Sequence, residues 1–316
     1  MTSSELIAVT GGSGFVGSHV VDALLEAGHP VRVIDQVQPR QPGVEWTMAD
    51  ILDADALTEA LQGVGPVFHL AAMADVNDVV ATPAEAVATN VLGTARVLEA
   101  ARRAQAGRVV LSSTVWVYAA TTSSHVDETT PLELSAERHL YASTKLAAEM
   151  LCADFFTLYQ RPYTVLRYGI PFGPRMRGRL VIAAFIERAL LGEALRLDGD
   201  GSQSRTFVYV EDLARAHPMA LAPAAEQRTY NLEASESVTM RQLAEMVRAL
   251  VGDVAIEYGP GRTGDYRART VSAERARDEL GWVPSISFED GLRRTLAWYR
   301  DESLPAAESG ARRAGT

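Results

Sequence analysis

Short apolar runs alternate with longer segments of helical period along the first half of the chain. Leu6–Thr10 and Val31–Asp35 are short runs, and between them Val16–Ala27 carries apolar residues every three or four positions. The alternation predicts further strands at Glu45–Ala49, Val67–Leu70, Arg108–Ser112 and Tyr163–Arg167, and helices at Ala54–Leu61, Ala84–Ala104 and Ala142–Tyr159. Because strands and helices follow one another in turn, we expect an α/β fold with a parallel sheet covered by helices on both faces.

The alternation loosens after Tyr168, where glycine and proline residues interrupt the pattern. The second half predicts helices at Leu180–Leu191, Glu211–Leu221, Met240–Val251 and Ser272–Leu280, and short strands near Ala194–Leu197, Thr206–Tyr209 and Thr229–Leu232. We therefore expect a doubly wound sheet domain over residues 1–170 and a smaller α/β substrate lobe over residues 171–302. Residues 303–316 are rich in Ala, Gly and Arg without an apolar period, which predicts a disordered tail.

The balance of charges argues against some classes of partner. With 30 Lys and Arg against 40 Asp and Glu, the chain of 316 residues has a formal net charge of −10, which disfavours non-specific binding to nucleic acid or to a membrane surface. Cys152 is the only cysteine, so we expect neither a disulfide framework nor a metal site built from cysteines. The first residues do not resemble a secretory leader, and no apolar run is long enough to span a membrane, so we expect a cytoplasmic protein.

A glycine-rich turn joins the first predicted strand to the first predicted helix. It contains Gly11, Gly14 and Gly17, with Phe15 and Val16 between the last two. Glycines at this spacing permit a tight turn, a close approach of the backbone to a pyrophosphate, and close packing of the helix on the strand. The start of a helix also attracts phosphate through its N–H groups and its dipole. Since a strand precedes the motif and a helix follows it, we predict a Rossmann-type dinucleotide site.

The residue that ends the second predicted strand indicates which dinucleotide binds. Asp35 lies 18 residues beyond Gly17, where a carboxylate accepts hydrogen bonds from the ribose hydroxyls and repels the additional phosphate of NADP. We therefore predict NAD. Asp50 and Ile51 follow the third strand and are candidates to flank the adenine; a helix-capping aspartate and a core isoleucine are the alternative interpretation.

Tyr141 and Lys145 are four residues apart at the start of a predicted helix, so they share one helical face. A tyrosine with a pKa of about 10 is a poor base at neutral pH. A neighbouring ammonium favours the phenolate, so we expect Lys145 to lower the pKa of Tyr141. Together with Asn90, the strand-end segment Ser112–Thr114 and the glycine turn, the pair predicts a hydride-transfer site.

These motifs resemble those of the extended short-chain dehydrogenases/reductases, and within them the NAD-dependent epimerases and dehydratases that include the UDP-glucose and UDP-glucuronate 4-epimerases. The resemblance covers about residues 5–300 and is carried by Gly11–Gly17, His69–Ala72, Asn90–Thr94, Ser112–Tyr118, Tyr141–Lys145, Arg167–Tyr168, Arg205–Asp212 and Arg262–Asp265. It implies NAD as a bound cofactor and a UDP-sugar as the substrate.

The resemblance also implies roles for individual residues. Thr114 would hydrogen-bond the reacting sugar hydroxyl beside Tyr141, and Asn90 would support the geometry of the active-site helix. Cofactor contacts are implied for Leu70, Ala71, Ala72, Asn90, Ser112, Tyr141, Lys145 and Tyr168. Substrate contacts are implied for Ser113, Thr114, Tyr141, Gly169, Val181, Leu195, Arg205, Arg262 and Asp265. The diphosphate is assigned to Arg205 and Arg262, whose guanidinium forks suit phosphate oxygens, and the base is uridine or thymidine.

The residues that follow Thr114 narrow the reaction. Dehydratases of the family carry an Asp-Glu pair there and its decarboxylases a nearby Glu, whereas this chain has Val115 and Trp116. The 3,5-epimerases of the family use a Cys and a Lys, but we interpret Cys152 as a packing residue. We therefore favour redox-neutral 4-epimerisation through a transient 4-keto sugar. A nucleotide-sugar reductase or dehydrogenase with net redox, and a UDP-glucuronate decarboxylase, are the alternatives.

The chain departs from the hexose epimerases directly after Arg167 and Tyr168. Those enzymes follow Arg-Tyr with Phe-Asn, whereas this chain has Gly169 and Ile170, which implies the loss of a polar contact to the substrate phosphate. Arg177 aligns roughly with an arginine that binds the sugar carboxylate in UDP-glucuronate 4-epimerases, so we favour UDP-glucuronate over UDP-glucose; Arg175 and Arg177 as loop charges are the alternative. Relatives often dimerise through the Tyr-Lys helix and the helix before it, so we also expect a homodimer.

Overall fold

The computed structural model describes residues 5–133, 139–176, 179–261 and 269–303. The strands are β1 Ile7–Thr10, β2 Val31–Ile34, β3 Glu45–Thr47, β4 Val67–His69, β5 Val109–Thr114, β6 His125–Val126, β7 Tyr163–Tyr168, β8 Ile170–Phe172, β9 Leu195–Asp198, β10 Ser204–Tyr209, β11 Arg228–Leu232, β12 Ser237–Thr239, β13 Ile256–Gly259 and β14 Thr270–Val271. The α-helices are α1 Phe15–Glu26, α2 Ala54–Ala60, α3 Val76–Ala81, α4 Pro83–Val87, α5 Gly93–Arg103, α6 Leu140–Tyr159, α7 Val181–Leu190, α8 Val210–Met219, α9 Met240–Val251 and α10 Phe288–Trp298. Turns of π-helix lie at Ala88–Leu92, Ala276–Leu280 and Tyr299–Ser303, and turns of 3-10 helix at Val115–Tyr118 and Pro223–Ala225.

Seven parallel strands form the main sheet in the order β11-β7-β5-β4-β1-β2-β3. This arrangement confirms the predicted α/β fold with a Rossmann-type sheet. The chain continues from β1 to β2 on one side and returns to β4 on the other, so the strand order reverses beside β1. In open α/β sheets, ligands bind at such a reversal, outside the carboxyl ends of the strands.

Alternate side chains of the strands bury opposite faces of the sheet. Ala8 of β1, Val67 of β4 and Leu111 of β5 pack in one core cluster with Val97 of α5 and Ala148 of α6. The intervening residues of each strand point to the other face, because successive side chains of a strand alternate. On that face the Phe68 ring lies 5.6 Å from the ring of His217 in α8. Helices therefore cover both faces, as predicted.

The chain divides into two compact units, each assembled from three stretches of sequence. The first unit comprises Met1–Gly169, Leu213–Leu232 and Arg269–Val283, and the second comprises Ile170–Asp212, Glu233–Ala268 and Pro284–Thr316. The sequence suggested a single boundary after residue 170, whereas two later stretches return to the first unit. One of them contains β11. Its counterpart from the sequence, Thr229–Leu232, was predicted for the smaller lobe, but β11 pairs with β7 at the edge of the main sheet.

The second unit has its own small sheets and its own core. Strand β10 pairs in parallel with β8 and antiparallel with β12, and β9 pairs in parallel with β13. Four aromatic rings pack together between these strands and α10, with centroid distances of 5.0 to 6.1 Å; they belong to Phe172, Phe207, Tyr209 and Phe288. The sequence pattern did not predict helices α3 and α10 or strands β6, β8, β12, β13 and β14.

One long predicted helix is interrupted in the structure. The segment predicted as Ala84–Ala104 contains most of α4, a π-helical turn at Ala88–Leu92, and then α5.

Residues 304–316 of the predicted tail lie outside the described residues. Within the described segments, no helix combines the length and apolarity needed to cross a membrane, and no three metal-binding side chains of His, Cys, Asp or Glu gather in one place.

Candidate active site

The turn between β1 and α1 is so tight that it requires glycine. Gly11 has a φ of +72°, and a Cβ atom there would lie 2.5 Å from the backbone nitrogen of Ala71. A Cβ atom on Gly17 would lie 2.0 Å from the carbonyl oxygen of Gly11. Both contacts are far shorter than atoms tolerate, so a side chain at either position would force the turn open. The backbone is thereby kept close to the first turn of α1, as a pyrophosphate site requires.

The start of α1 is suited to an anion. Gly14 is its N-cap residue and supplies no side chain to cap the helix, and the first turn contains no acidic residue. The leading N–H groups of a helix have no partner within the helix and carry a partial positive charge. Phe15 and Val16, which begin the helix, are only partly buried. The geometry therefore matches the predicted phosphate-binding role of the turn.

Asp35 immediately follows β2 and holds the glycine turn. Its two carboxylate oxygens accept hydrogen bonds from the backbone N–H groups of Ser13 and Val37, each at 3.0 Å. A carboxylate oxygen has room for a second donor, so Asp35 can still accept from ribose hydroxyls. Asp50 is exposed and accepts from its own turn, whereas Ile51 is buried in the core. The core interpretation of Ile51 thus fits its surroundings better than the adenine contact does.

Tyr141 and Lys145 lie on the first two turns of α6. The Lys145 Nζ donates to the carbonyl oxygen of Ser112 at 2.9 Å, and the lysine side chain is buried. Burial lowers the pKa of Lys145 to about 8, against the opposing effect of the Glu149 charge. Burial also raises the pKa of Tyr141. The net shift is therefore opposite to the expected lowering, because burial removes hydration from the phenolate.

Thr114 ends β5, two residues beyond the carbonyl that binds Lys145. Its hydroxyl oxygen accepts a hydrogen bond from the N–H of Trp116 at 3.2 Å. That bond leaves the hydroxyl proton free to be donated elsewhere, as a contact to a sugar hydroxyl requires. The ring of Trp116 packs against the ring of His139, the N-cap residue of α6, with centroids 4.7 Å apart. This contact joins the strand that carries Thr114 to the helix that carries Tyr141.

Asn90 does not present its amide to a ligand. Its Oδ1 accepts from the N–H of Met73 at 2.8 Å, and its Nδ2 donates to the carbonyl of Met73 and to the Thr144 hydroxyl, both at 3.0 Å. Both amide protons are therefore used within the protein. The Asn90 amide therefore has no proton left to donate to a cofactor, and support of the active-site helix agrees with the bond to Thr144 on α6.

Ser113 also faces the interior rather than a substrate. It shares a face of β5 with Leu111, and its hydroxyl donates to Glu149 Oε1 at 2.5 Å. Glu149 forms a buried ion pair with Arg167, whose Nε and Nη2 donate to the two carboxylate oxygens at 3.0 and 2.6 Å. The sequence missed this network, although Glu149 follows Lys145 at the four-residue spacing that places both on one helical face.

Two predicted contacts at the end of β7 are already used by protein groups. The Tyr168 hydroxyl lies 2.6 Å from His217 Nε2. Because His217 Nδ1 lies 3.1 and 3.2 Å from the carbonyls of Ala214 and Leu213, it carries the ring proton, and Tyr168 is the donor. The N–H of Gly169 donates to Leu232, which extends the sheet. The Tyr168 hydroxyl proton and the Gly169 N–H are therefore both donated within the protein.

The predicted substrate residues of the second unit have mixed outcomes. Arg205 lies on β10, where its Nη1 donates to the carbonyl of Ser204 at 2.8 Å. Val181 begins α7 with a partly exposed side chain. Leu195 is completely buried, because the inward side of β9 faces the core, so its side chain is not accessible to a nucleoside in this structure. Arg177, Arg262 and Asp265 lie outside the described residues.

Leu70, Ala71 and Ala72 follow β4 and remain partly accessible. The Leu70 N–H donates to the carbonyl of Thr10 at 3.1 Å, and the Ala71 N–H to the hydroxyl of Thr10 at 3.4 Å. This loop therefore lies against the strand that leads into the glycine turn. Ser112, another predicted cofactor residue, is buried, and its carbonyl oxygen accepts the hydrogen bond from Lys145 Nζ.

The sequence model of the NAD dependent epimerase/dehydratase family matches residues 7–232, more than half of the chain. The chain belongs to this family. A relative is the UDP-glucose 4-epimerase of Mycolicibacterium smegmatis, 33% identical over 312 residues that cover 93% of this chain and 98% of the relative. Relatives with other activities, at 28 to 32% identity, are UDP-glucuronic acid decarboxylases, a UDP-N-acetyl-glucosaminuronate decarboxylase and a dTDP-glucose 4,6-dehydratase.

Solved structures of the family share the fold over nearly the whole chain. The UDP-glucose 4-epimerase of Thermotoga maritima, solved with UDP-glucose, is 33% identical with a TM-score of 0.86, and the match covers 93% of this chain and 98% of that one. The protein MoeE5, solved with UDP-glucuronic acid and NAD, is 31% identical with a TM-score of 0.85 and coverage of 94% and 99%. The protein is thus an enzyme of a family that acts on nucleotide sugars.

NAD is the cofactor of this family, and the residues of the chain fit it. The close contacts at Gly11 and Gly17 preserve a cradle that any Cβ atom would fill. Asp35 supplies carboxylate oxygens at the end of β2, where ribose hydroxyls are bound in Rossmann folds. The residues that would hold NAD are therefore the glycine turn, Asp35, the loop after β4, and Lys145.

Proposed function

We propose that the protein is an NAD-dependent UDP-sugar 4-epimerase that prefers UDP-glucuronate to UDP-glucose. The observation that carries the proposal is the combination of Tyr141, Lys145 and Thr114 with an apolar segment after Thr114. Val115 is buried, and Trp116 packs against His139. Elimination of water needs a general acid next to the reacting sugar, and neither residue can act as one. A redox-neutral inversion at C4 needs no such acid.

The proposed reaction assigns one task to each of the three residues. Tyr141 accepts the proton of the 4-hydroxyl group and later returns it. Thr114 donates its hydroxyl proton to orient the same sugar oxygen. Lys145, protonated below a pKa of about 8, supplies the positive charge that favours the phenolate. The NAD that the glycine turn, Asp35 and Lys145 would hold would supply a reversible hydride acceptor for C4, so that no cofactor would be consumed.

Preference for the uronate rests on Arg177 and on the relative solved with UDP-glucuronic acid. A guanidinium fork binds a carboxylate through two parallel hydrogen bonds. The 4-keto form of a uronate is a β-keto acid that loses CO₂ readily, so an epimerase has to hold the carboxylate out of alignment with the carbonyl. The MoeE5 structure shows that a chain of similar fold and 31% identity accommodates UDP-glucuronic acid. We assign the diphosphate to Arg205 and Arg262.

One experiment separates the proposed reaction from its alternatives. Purified protein is incubated with UDP-glucuronate or UDP-glucose without added reductant, and the products are resolved by NMR. We expect the 4-epimer, faster from the uronate, with no net change in NADH absorbance. Release of CO₂ with a pentose product would indicate a decarboxylase instead, stoichiometric consumption of cofactor would indicate a net oxidoreductase, and no product from either sugar would refute the proposal.

Two substitutions test the assigned residues. Tyr141→Phe removes the proton acceptor and should abolish turnover while NAD remains bound; persistent turnover would refute the assignment of the base. Arg177→Ala should reduce kcat/KM for UDP-glucuronate far more than for UDP-glucose. Arg196→Ala is the matched control, since Arg196 is an exposed arginine on β9. Equal losses with both sugars at Arg177 would contradict a carboxylate clamp.

The homodimer is likewise proposed, through the helices that precede and carry the Tyr-Lys pair. Val87 and Leu92 beside α5, and Met150 and Leu158 on α6, are large apolar residues exposed to solvent. Burial of these side chains in an interface would stabilise a dimer. Light scattering should give twice the chain mass, and Met150→Glu should shift the population towards the monomer. A monomeric parent protein would refute this interface. Cytoplasmic location remains a prediction.

A further inference from the structure

We propose that His69 is a positioning residue for Tyr141, acting through a buried chain of side-chain hydrogen bonds. The chain begins at Thr10, passes through His69 and Thr94, and fixes the π-helical turn from which Asn90 holds the start of α6. The kinetic part of its test rests on the proposed function, whereas its spectroscopic part does not. The strands of the sheet pair through their backbones and do not depend on these side-chain hydrogen bonds, so the presence of the bonds needs another explanation.

The direction of the chain follows from counting protons. The Thr94 hydroxyl donates its single proton to the carbonyl oxygen of Asn90 at 2.7 Å. Towards His69 Nε2, at 3.0 Å, it can only accept, so Nε2 carries the ring proton. His69 Nδ1 is then an acceptor for the Thr10 hydroxyl, 2.8 Å away. Both ring nitrogens are used, and only the Nε2–H tautomer makes both contacts while the Thr94 hydroxyl donates to Asn90.

The imidazole is held neutral by its surroundings. His69 is 1% exposed, and Thr10 and Thr94 are equally inaccessible. Burial, with a further contribution from the positive charge of Lys145, lowers the pKa of His69 to about 3. The ring therefore stays neutral over the working range of an enzyme. The result is a rigid connector between β1, β4 and α5 rather than a group that exchanges protons.

The connector ends on a distorted turn of helix. Between α4 and α5, the N–H of Gly93 donates to the carbonyl of Ala88, five residues earlier, as in a π-helix. Such turns are rare and concentrate at functional sites. The bond from Thr94 holds the backbone carbonyl of Asn90 within this turn. The Asn90 amide is thereby directed away from its own helix, to Met73 and to Thr144 on α6.

The last bonds reach the proposed base. The Thr144 hydroxyl, which accepts from Asn90, donates to the carbonyl oxygen of Tyr141 at 2.8 Å. Thr10, at the other end of the chain, directly precedes Gly11 in the dinucleotide turn. The connector therefore ties the cofactor turn to the helix turn that carries Tyr141 and Lys145. Hydride transfer depends on the relative placement of these two elements.

Thr94→Val, with Thr94→Ser as its matched control, tests the connector. Valine keeps the shape of threonine but removes the hydroxyl, so the proton on His69 Nε2 and the Asn90 carbonyl lose their partner. We expect kcat to fall roughly 10- to 100-fold, as small misplacements of reacting groups do, with KM and NAD content close to the parent values. Serine keeps the hydroxyl and should retain most of kcat. Parent-like kcat in the valine variant, or equal losses in both, would overturn the proposal.

A second pair of variants covers the case in which Thr94→Val does not fold. Thr144→Val breaks the final bonds to Asn90 and Tyr141, and Thr144→Ser preserves them. The same expectation applies: kcat falls only in the valine variant, while KM is maintained. Equal kcat in the two variants would overturn the connector as a positioning device.

The tautomer of His69 is measured without any substrate. A long-range ¹H–¹⁵N spectrum of the labelled parent protein distinguishes the Nε2–H from the Nδ1–H form, and His69→Gln assigns the signal by its disappearance. We expect the neutral Nε2–H form throughout the neutral range. An Nδ1–H or protonated ring would overturn the proposal even if the enzyme were active. If the parent turns over no UDP-sugar while the tautomer is as expected, the proposed function fails and the connector stands.

Discussion

Replacement of Glu149 by glutamine removes a negative charge from beneath the Tyr141–Lys145 pair while leaving the side-chain shape unchanged. The carboxylate accepts from the Ser113 hydroxyl at 2.5 Å and from two nitrogens of Arg167 at 3.0 and 2.6 Å. Both members of the ion pair are less than a tenth exposed. A glutamine amide can accept through only one atom, so its NH₂ group would meet a guanidinium donor.

Two magnitudes follow from this geometry. Breaking a buried ion pair by removing one partner costs about 3 to 5 kcal/mol of unfolding free energy. Residues four apart on a helix have Cβ atoms about 5 to 6 Å apart. At an effective dielectric constant of about 20, two unit charges at roughly 7 Å interact by about 2 kcal/mol, equivalent to roughly 1.5 pH units. The charge of Glu149 raises the pKa of Lys145 against burial, so Glu149→Gln should lower that pKa further.

The sign of the effect on activity can be measured directly. Lys145 loses its proton above a pKa of about 8, and the phenolate then loses its stabilising charge, so kcat/KM should fall on the alkaline side. In Glu149→Gln this alkaline limb should move to lower pH by roughly one unit or more. The assay is the epimerisation rate by NMR between about pH 6 and about pH 10. Urea unfolding gives the stability difference at one pH.

Asp154→Asn is the matched control, because Asp154 is an exposed carboxylate on the same helix and its loss changes the net charge equally. It should leave both the limb and the unfolding free energy nearly unchanged. An alkaline limb that stays in place in Glu149→Gln would refute the link to Lys145. If Glu149→Gln lowers the free energy of unfolding by less than about 1 kcal/mol, the view that the ion pair is buried and tightly coupled is refuted.

Two further predictions concern the glycine turn and a buried acid. Gly17→Ala places a methyl group 2.0 Å from the carbonyl oxygen of Gly11, so the purified variant should contain no NAD by absorbance and should unfold at a lower temperature; NAD at the parent level would contradict the close contact. Burial raises the pKa of Glu233 to about 8 from its ordinary value of 4.5, so the folded protein holds a proton that the unfolded chain releases, and stability falls as pH rises from about 4.5 to about 8. Glu233→Gln removes that penalty. In urea unfolding, the substitution should stabilise the protein by about 3 to 5 kcal/mol at about pH 9 and by little at about pH 5. An equal effect at the two pH values would contradict the burial of the carboxyl group.

Local sequence signals account for the elements that were predicted well. Helix α9 was predicted with its observed bounds because Thr239 and Gln242 form a capping box and Gly252 follows its last residue. The missed helix α10 had a comparable signal, since Ser287 caps it and acidic residues follow. By contrast, the partner of β11 is not encoded locally. A strand of five residues carries no mark that distinguishes an edge position in the main sheet from a place in a smaller lobe.

The residues of the candidate site likewise divide into those marked by local sequence and those that depend on the folded surroundings. The glycine turn, Asp35 and the Tyr141–Lys145 pair depend on spacing next to regular elements, which the sequence displays. The inward direction of the Ser113 side chain could also have been predicted, since Ser113 lies on the same face of β5 as Leu111. The pKa of Tyr141 could not have been predicted, because it depends on how much protein surrounds the phenol. Helical spacing gives proximity to a charge but says nothing about desolvation.

The direction of the two pKa shifts explains why a buried ion pair accompanies the active-site helix. Burial raises the pKa of Tyr141 and lowers that of Lys145, so burial alone opposes a phenolate paired with an ammonium. The base can function near neutral pH only if the lysine keeps its proton. Glu149 provides the negative charge that favours this, and Arg167 and Ser113 donate hydrogen bonds to its carboxylate oxygens. The network beneath Lys145 therefore belongs to the proposed active site as much as the hydroxyl groups that face the sugar, and the pH profile of Glu149→Gln decides whether that is so.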